Sequence, residues 1–259
     1  MGWKDSNTVV ITLEDSKDRQ AHMNTEMERC GIPFDFFIAK RMEVSAAHGH
    51  GNYDRQKRLK RTGFDMSAGE VGCFLSHREV WKNAVRTGKS LLICEDDIRF
   101  LHALDFSSQL MRYSPSFDLV RLHGVFPTRY FELGQLQNYS IVSYNKGPRG
   151  SAAYWIKPAA AERLLELSQR FYQPVDDFID EEWRHELRII GIMPYPVETL
   201  ALETTITNRR KPALGTCTKL RKEMYRTRDR TAEFCHSYRK RLRYLMGNPF
   251  HVTKPDPKP

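Results

Sequence analysis

The first apolar run, Val9-Val10-Ile11 with Leu13, follows the polar Asp5-Ser6-Asn7. It is β-branched and nearly continuous, the pattern of an inner strand covered on both faces. A helix is predicted from Ser16 to Cys30, the break Gly31-Ile32-Pro33 closes it, and a second strand is predicted over 34–39. That opening is a β-α-β unit. Residues 41–66 carry His48, His50 and glycines among many charges and read as a long polar loop of the kind that lids a binding site. The next helix has a marked start, because Ser67-Ala68-Gly69-Glu70 has the capping-box spacing; Val71, Leu75, Trp81 and Val85 give it an apolar face, and Thr87-Gly88 ends it. Leu91 to Cys94 then form a short buried strand that runs straight into Glu95-Asp96-Asp97. Further strands are predicted over 118–122 and 151–156, with a helix opened by Pro158 and running to Gln169. Alternating strands and helices predict an α/β domain with a largely parallel sheet.

Composition adds bounds. The 259 residues are 40% hydrophobic and 28% charged, which suits one substantial core with at most a small appendage. No apolar run approaches the roughly 18 residues that span a bilayer, and MGWKDSNTVV lacks the apolar stretch of a secretory signal, so a cytoplasmic location is expected. Cys30, Cys73, Cys94, Cys217 and Cys235 are odd in number and widely spaced, which predicts reduced thiols rather than a disulfide framework or zinc site.

The net charge of +9 is unevenly placed. Residues 208–259 hold fifteen Lys or Arg against four Asp or Glu, a balance of +11, so residues 1–207 carry −2. The chain therefore divides into a near-neutral domain over 1–207 and a basic appendage over 208–259, with a helix expected from about Arg230 to Met246 before the Pro-rich end. Basic and aromatic residues interleave in that helix, an arrangement suited to the anionic inner face of a membrane; the competing arrangement packs its apolar side on the domain and leaves the charges in water.

Three acids directly after a buried strand repel one another and are costly to desolvate, so they call for a cation. The carboxyl ends of strands in an open α/β sheet face the ligand crevice, and a hard Mg2+ or Mn2+ shared with diphosphate oxygens suits such a cluster. Asp176-Asp177 form a second acidic pair, which reads either as a general base or as an ordinary helix start after Pro174. Walker, GxGxxG and GxSxG motifs are absent from the sequence, which removes the usual support for phosphate-loop NTPases, dinucleotide dehydrogenases and serine hydrolases.

Four segments in order, VVITLEDSKDR (9–19), GEVGCFLSHREVWK (69–82), LLICEDDIRF (91–100) and QPVDDF (173–178), resemble glycosyltransferase family 25, which includes lipooligosaccharide galactosyltransferases. The likeness covers about residues 7 to 200. It implies a GT-A-like α/β fold with a Rossmann-like nucleotide-binding half, here followed by the basic helical extension. It also implies roles. Glu95 and Asp97 match the metal ligands; Asp96, Thr12, Leu13 and Arg19 match the nucleotide side; Gly69, Glu70, Ser76 and His77 match the donor-sugar side; Asp176 and Asp177 match the later acidic pair. The chain departs from the family pattern at Lys40-Arg41-Met42 and at Ala153-Tyr154, where the family commonly carries Gly. The implied reaction is inverting transfer of galactose or glucose from a UDP-sugar to a glycan or lipid-linked oligosaccharide, assisted by Mn2+ or Mg2+. Two rival readings stand beside it: a basic nucleic-acid-binding protein, which fails to explain the acidic strand end, and a family member that has lost catalysis and serves as a scaffold, which the two departures from Gly motivate; no nucleic-acid partner is expected.

Overall fold

The computed structural model describes residues 7–101, 107–200, 215–247 and 249. β1 (Asn7–Leu13), α1 (Lys17–Cys30) and β2 (Asp35–Ala39) form the expected β-α-β unit, and β1 is indeed inner, pairing in parallel with β2 on one side and β3 (Leu91–Glu95) on the other. Residues 41–66 are not a plain loop. They form two short helices, α2 (Val44–Gly49) and α3 (Arg55–Thr62), because Asp54 caps α3 through its carboxylate and Gly63 closes it in the left-handed conformation. α4 (Ala68–Thr87) opens on a complete capping box, with Ser67 Oγ accepting from Glu70 N at 3.0 Å and Glu70 Oε2 accepting from Ser67 N at 2.6 Å.

Beyond β3 the chain runs through β4 (Ile98–Phe100), α5 (Ser107–Leu110), a 3-10 turn at Met111–Ser116 and β5 (Leu119–Arg121). A hairpin of β6 (Tyr130–Leu136) and β7 (Tyr139–Tyr144) leads to β8 (Ala153–Ile156) and α6 (Pro158–Leu167). The domain continues through α7 (Val175–Ile179), α8 (Glu182–His185), β9 (Ile189–Met193) and β10 (Val197–Thr199), and α9 (Thr216–Met246) follows. Eight strands form one sheet in the order β2-β1-β3-β8-β5-β9-β7-β6, and β4 pairs with β10 separately. The α/β class holds, but the sheet is mixed rather than largely parallel. β8 enters antiparallel between β3 and β5, and the β6–β7 hairpin adds an antiparallel edge. A buried strand's apolar run carries no mark of its direction, so the sequence pattern could not report this.

Alternate residues of the central strands feed two cores. Val10, Leu92 and Cys94 pack with Met23 and Met27 of α1 on one face. Val9, Leu91 and Ile93 pack with Phe74 and Trp81 of α4 and with Leu164 of α6 on the other. α9 begins at Thr216, well before Arg230. The expected boundary at 207/208 and the Pro-rich end lie outside the described residues.

Candidate active site

The parallel pairing of β1 with β3 sets Ile11 opposite Glu95, so the residues just past both strand ends meet. Asp96 is taken up there: Thr12 Oγ1 donates to its Oδ2 at 2.6 Å and Arg19 Nη1 to its Oδ1 at 2.9 Å. Asp97 is held more loosely, its Oδ2 3.6 Å from Arg19 Nη1 and its Oδ1 buried with no hydrogen-bond partner. Burial, then the charge of Glu95, push its carboxyl up to about 6, against the pull of Arg19. Such an oxygen is what a hard cation binds.

Glu95 behaves oppositely. Burial raises its carboxyl, but the nearby His77 imidazole and the hydrogen bond from Ser151 outweigh it and hold the group below its usual range. Ser151 Oγ donates to Glu95 Oε1 at 2.6 Å, and His77 Nε2 lies 3.4 Å from the same oxygen. His77 is held by its other neighbours. Trp81 Nε1 donates to the buried Tyr154 hydroxyl at 2.9 Å, and that hydroxyl lies 2.8 Å from His77 Nδ1. The buried hydroxyl thus joins Trp81 to His77 and turns Nε2 of the ring towards Glu95.

These groups open onto a cleft of about 650 Å3. It is lined by Thr12, Leu13 and Arg19 from the β1–α1 junction, Gly69, Ser76 and His77 from one face of α4, and all three strand-end acids. The α2–α3 segment closes another side through Met42, Val44, His48 and Phe64. Met42 Sδ lies 3.7 Å from the position a Cβ on Gly72 would take. Two of the expected donor-site residues point elsewhere with their polar atoms. Glu70 is engaged by the α4 cap, and Ser76 Oγ donates to Gly72 O at 2.9 Å within the helix. Cys73, His77 and Glu95 bring ligand atoms within 4.8 Å of one another. Burial, with Glu95 and Asp176 nearby, pushes the Cys73 thiol well up.

The second acidic pair sits in the first turn of α7 and does not line that cleft; the segment 149–151 joins the two places. Ser151 reaches Glu95, Gly150 N points at Asp176 Oδ2 at 3.5 Å, and Arg149 Nε pairs with Asp177 Oδ1 at 2.9 Å. Gly150 has φ +86°, and a Cβ there would come within 3.1 Å of His123 Nδ1, so both conformation and space require glycine. Asp177 opens instead onto a neighbouring cleft of about 350 Å3, walled by α3, α7 and α9. Burial, then the charge of Asp176, push its carboxyl up to about 6, against the pull of Arg149. Asp180 and Glu181 are committed to Arg121 and Arg184.

Sequence reasoning passed over Arg121 and His123. The fully buried Arg121 guanidinium ties the Gly150 carbonyl to Asp180, so it locks segment 149–151 against α7. His123 is buried behind Gly150, its Nδ1 has no partner, and burial pushes its imidazole down, towards the neutral form, against the pull of Glu95. The available signal was weak: two basic residues, in Val120-Arg121-Leu122-His123, at the end of a strand otherwise apolar.

In an open α/β sheet a cleft at the carboxyl ends of the strands is where ligands bind. The family profile described as glycosyltransferase family 25 (LPS biosynthesis protein) matches residues 5–179, and the chain belongs to that family. A Haemophilus influenzae protein, provisionally named a glycosyltransferase, is 25% identical over 194 residues, which are 71% of this chain and 67% of that protein. An Aedes aegypti glycosyltransferase 25 family member is 30% identical over 77% of this chain and 36% of its own length. The human inactive glycosyltransferase 25 family member 3 is 32% identical over 46% of this chain and 21% of its own. This chain thus spans about a third or less of those two animal relatives.

Proposed function

We propose that the chain is a metal-dependent, inverting hexosyltransferase that moves galactose or glucose from a UDP-sugar to a glycan acceptor of the lipooligosaccharide or lipopolysaccharide class. The observation that carries the reading is Asp97, with one oxygen buried and unpartnered, beside two further carboxylates at a strand-end cleft. Mn2+ or Mg2+ would fit that donor set and would be held by Asp97 and Glu95, since both oxygens of Asp96 are already engaged by Thr12 and Arg19. When bound, the ion neutralises charge on the departing diphosphate. Arg19, already beside Asp96 and Asp97, pairs with the same phosphates, and Thr12 and Leu13 line the nucleotide side. His77 and Ser151 orient Glu95 rather than contacting the donor.

Asp177 is the base. Its carboxyl at about 6 is mostly ionised at neutral pH yet basic enough to accept the proton of an acceptor hydroxyl. That oxygen attacks the anomeric carbon, the bond to UDP breaks, and one displacement inverts the centre. Asp176, beside Gly150, keeps Asp177 basic through its charge. NMR of the product made from an α-linked UDP-hexose tests the reading: a β linkage supports it, and an α linkage overturns the single displacement. A family member that has lost catalysis would form no product with any donor.

A further inference from the structure

α9 is amphipathic in the reverse sense to a core helix. Its polar side faces the domain: Lys240 Nζ lies 2.8 and 3.0 Å from the two oxygens of Glu182, Asp229 pairs with Arg61, and His236 stands 3.8 Å from Glu182. Tyr244 adds a ring contact with Phe131 at 5.7 Å. The opposite side is apolar and open. Leu220 is 66% exposed, Met224 67%, Phe234 72%, Tyr238 59% and Leu245 74%. At about 100° per residue these side chains, with Leu242, fall within about 40° of one line and form a stripe about 38 Å long. Cations flank it on both sides. Eight of the helix's ten Lys and Arg are exposed, against one of its three acids.

We propose that this face of α9 docks the protein on an anionic lipid bilayer, with the stripe among the headgroups and the flanking Arg and Lys over the lipid phosphates. Of the two arrangements set out for the tail, apolar side packed or apolar side outward, α9 adopts the second. A second copy of the chain is disfavoured as occupant, because two such faces would set eight exposed cations against eight. A nucleic acid would satisfy the charge but offers nothing to cover Leu220, Met224, Phe234 and Leu245. An interfacial amphipathic helix joins an apolar stripe to a basic rim in this way. The same helix also walls the cleft beside Asp177 through Lys222, Tyr225 and Arg226 on its domain-facing side. The docking itself does not rest on the transfer reaction.

The test is co-sedimentation of the full chain with phosphatidylglycerol-containing vesicles against pure phosphatidylcholine vesicles, at low and high salt and without donor. Binding is expected on the anionic vesicles alone, weakened by salt. The double substitution Phe234→Glu with Leu245→Glu alters exposed positions, so the circular dichroism stays unchanged while vesicle affinity falls at least about tenfold. Replacing Arg239, Arg241 and Arg243 by Gln lowers it by a similar factor or more. The proposal is overturned by equal binding to neutral vesicles or none to either, or by Phe234→Glu with Leu245→Glu leaving affinity intact. A dimer in solution that those substitutions dissociate, or tighter binding to duplex DNA at the same salt, would likewise overturn it. Because the readout needs no donor, its failure is distinct from failure of the transferase reading.

Discussion

Replacing Asp97 by Asn removes a charge that the metal-free fold holds at a cost. The carboxyl is pushed from 3.8 to about 6 by burial, then by Glu95 and Asp96, a rise of about two units or about 3 kcal/mol. The side chain is 26% exposed, and Asn must find partners of its own, so we expect about half of that as measured stabilisation. In a domain of this size that is about 3–6 °C in Tm. The sign depends on pH. A carboxyl raised on folding binds more protons in the native state between about 4 and 6, so the wild type loses stability as pH rises through that window. The gain from Asp97→Asn is therefore full above about pH 6 and vanishes below about pH 4. Mn2+ reverses the order, since it stabilises the wild type and loses its main ligand in the variant. Thermal melts at pH 4 and pH 8, with and without Mn2+, read all of this. If Asp97→Asn is less stable than wild type at pH 8 without metal, or gains as much from Mn2+, the reasoning is refuted.

Three further outcomes are expected. Asp177→Asn should lower turnover at least about a hundredfold with little change in UDP affinity, and should remove a rise in kcat/KM centred near pH 6; unchanged turnover moves the base elsewhere. Tyr154→Phe leaves Trp81 Nε1 and His77 Nδ1 without their shared partner and should cost about 1–3 kcal/mol in urea melts, while an unchanged midpoint would remove the hydroxyl from the account. Glu182→Ala strands the buried Lys240 ammonium and should cost about 3 kcal/mol, with α9 becoming open to limited proteolysis; equal protease resistance would show that the ion pair does not hold the helix.

Local chemistry was legible where one residue decides one feature. The Ser67 and Glu70 spacing marks the start of α4, and Glu95-Asp96-Asp97 after an apolar run marks the strand end that faces the cleft. Strand direction was not legible, so β8 was located but not oriented, and the β6–β7 hairpin was overlooked because its outer face is polar. Nor could spacing show how the three adjacent acids divide. Asp96 meets Thr12 and Arg19 across 84 and 77 residues, Glu95 meets His77 and Ser151, and only Asp97 retains a buried oxygen without a partner. Arg121 was hidden for the same reason: its partners, the Gly150 carbonyl and Asp180, lie 29 and 59 residues away. Which side of α9 packs was left open between two arrangements, because its anchor is a buried ion pair to Glu182 rather than an apolar seam that spacing could reveal.

The central claim is metal-dependent transfer at the strand-end acids, and release of UDP from UDP-galactose and UDP-glucose by the purified chain tests it most directly. Release should require Mn2+ or Mg2+, stop on chelation, return when the metal is restored, and be absent in Asp97→Ala with an unchanged circular dichroism spectrum. Release that persists undiminished under chelation, or in Asp97→Ala, would contradict the account.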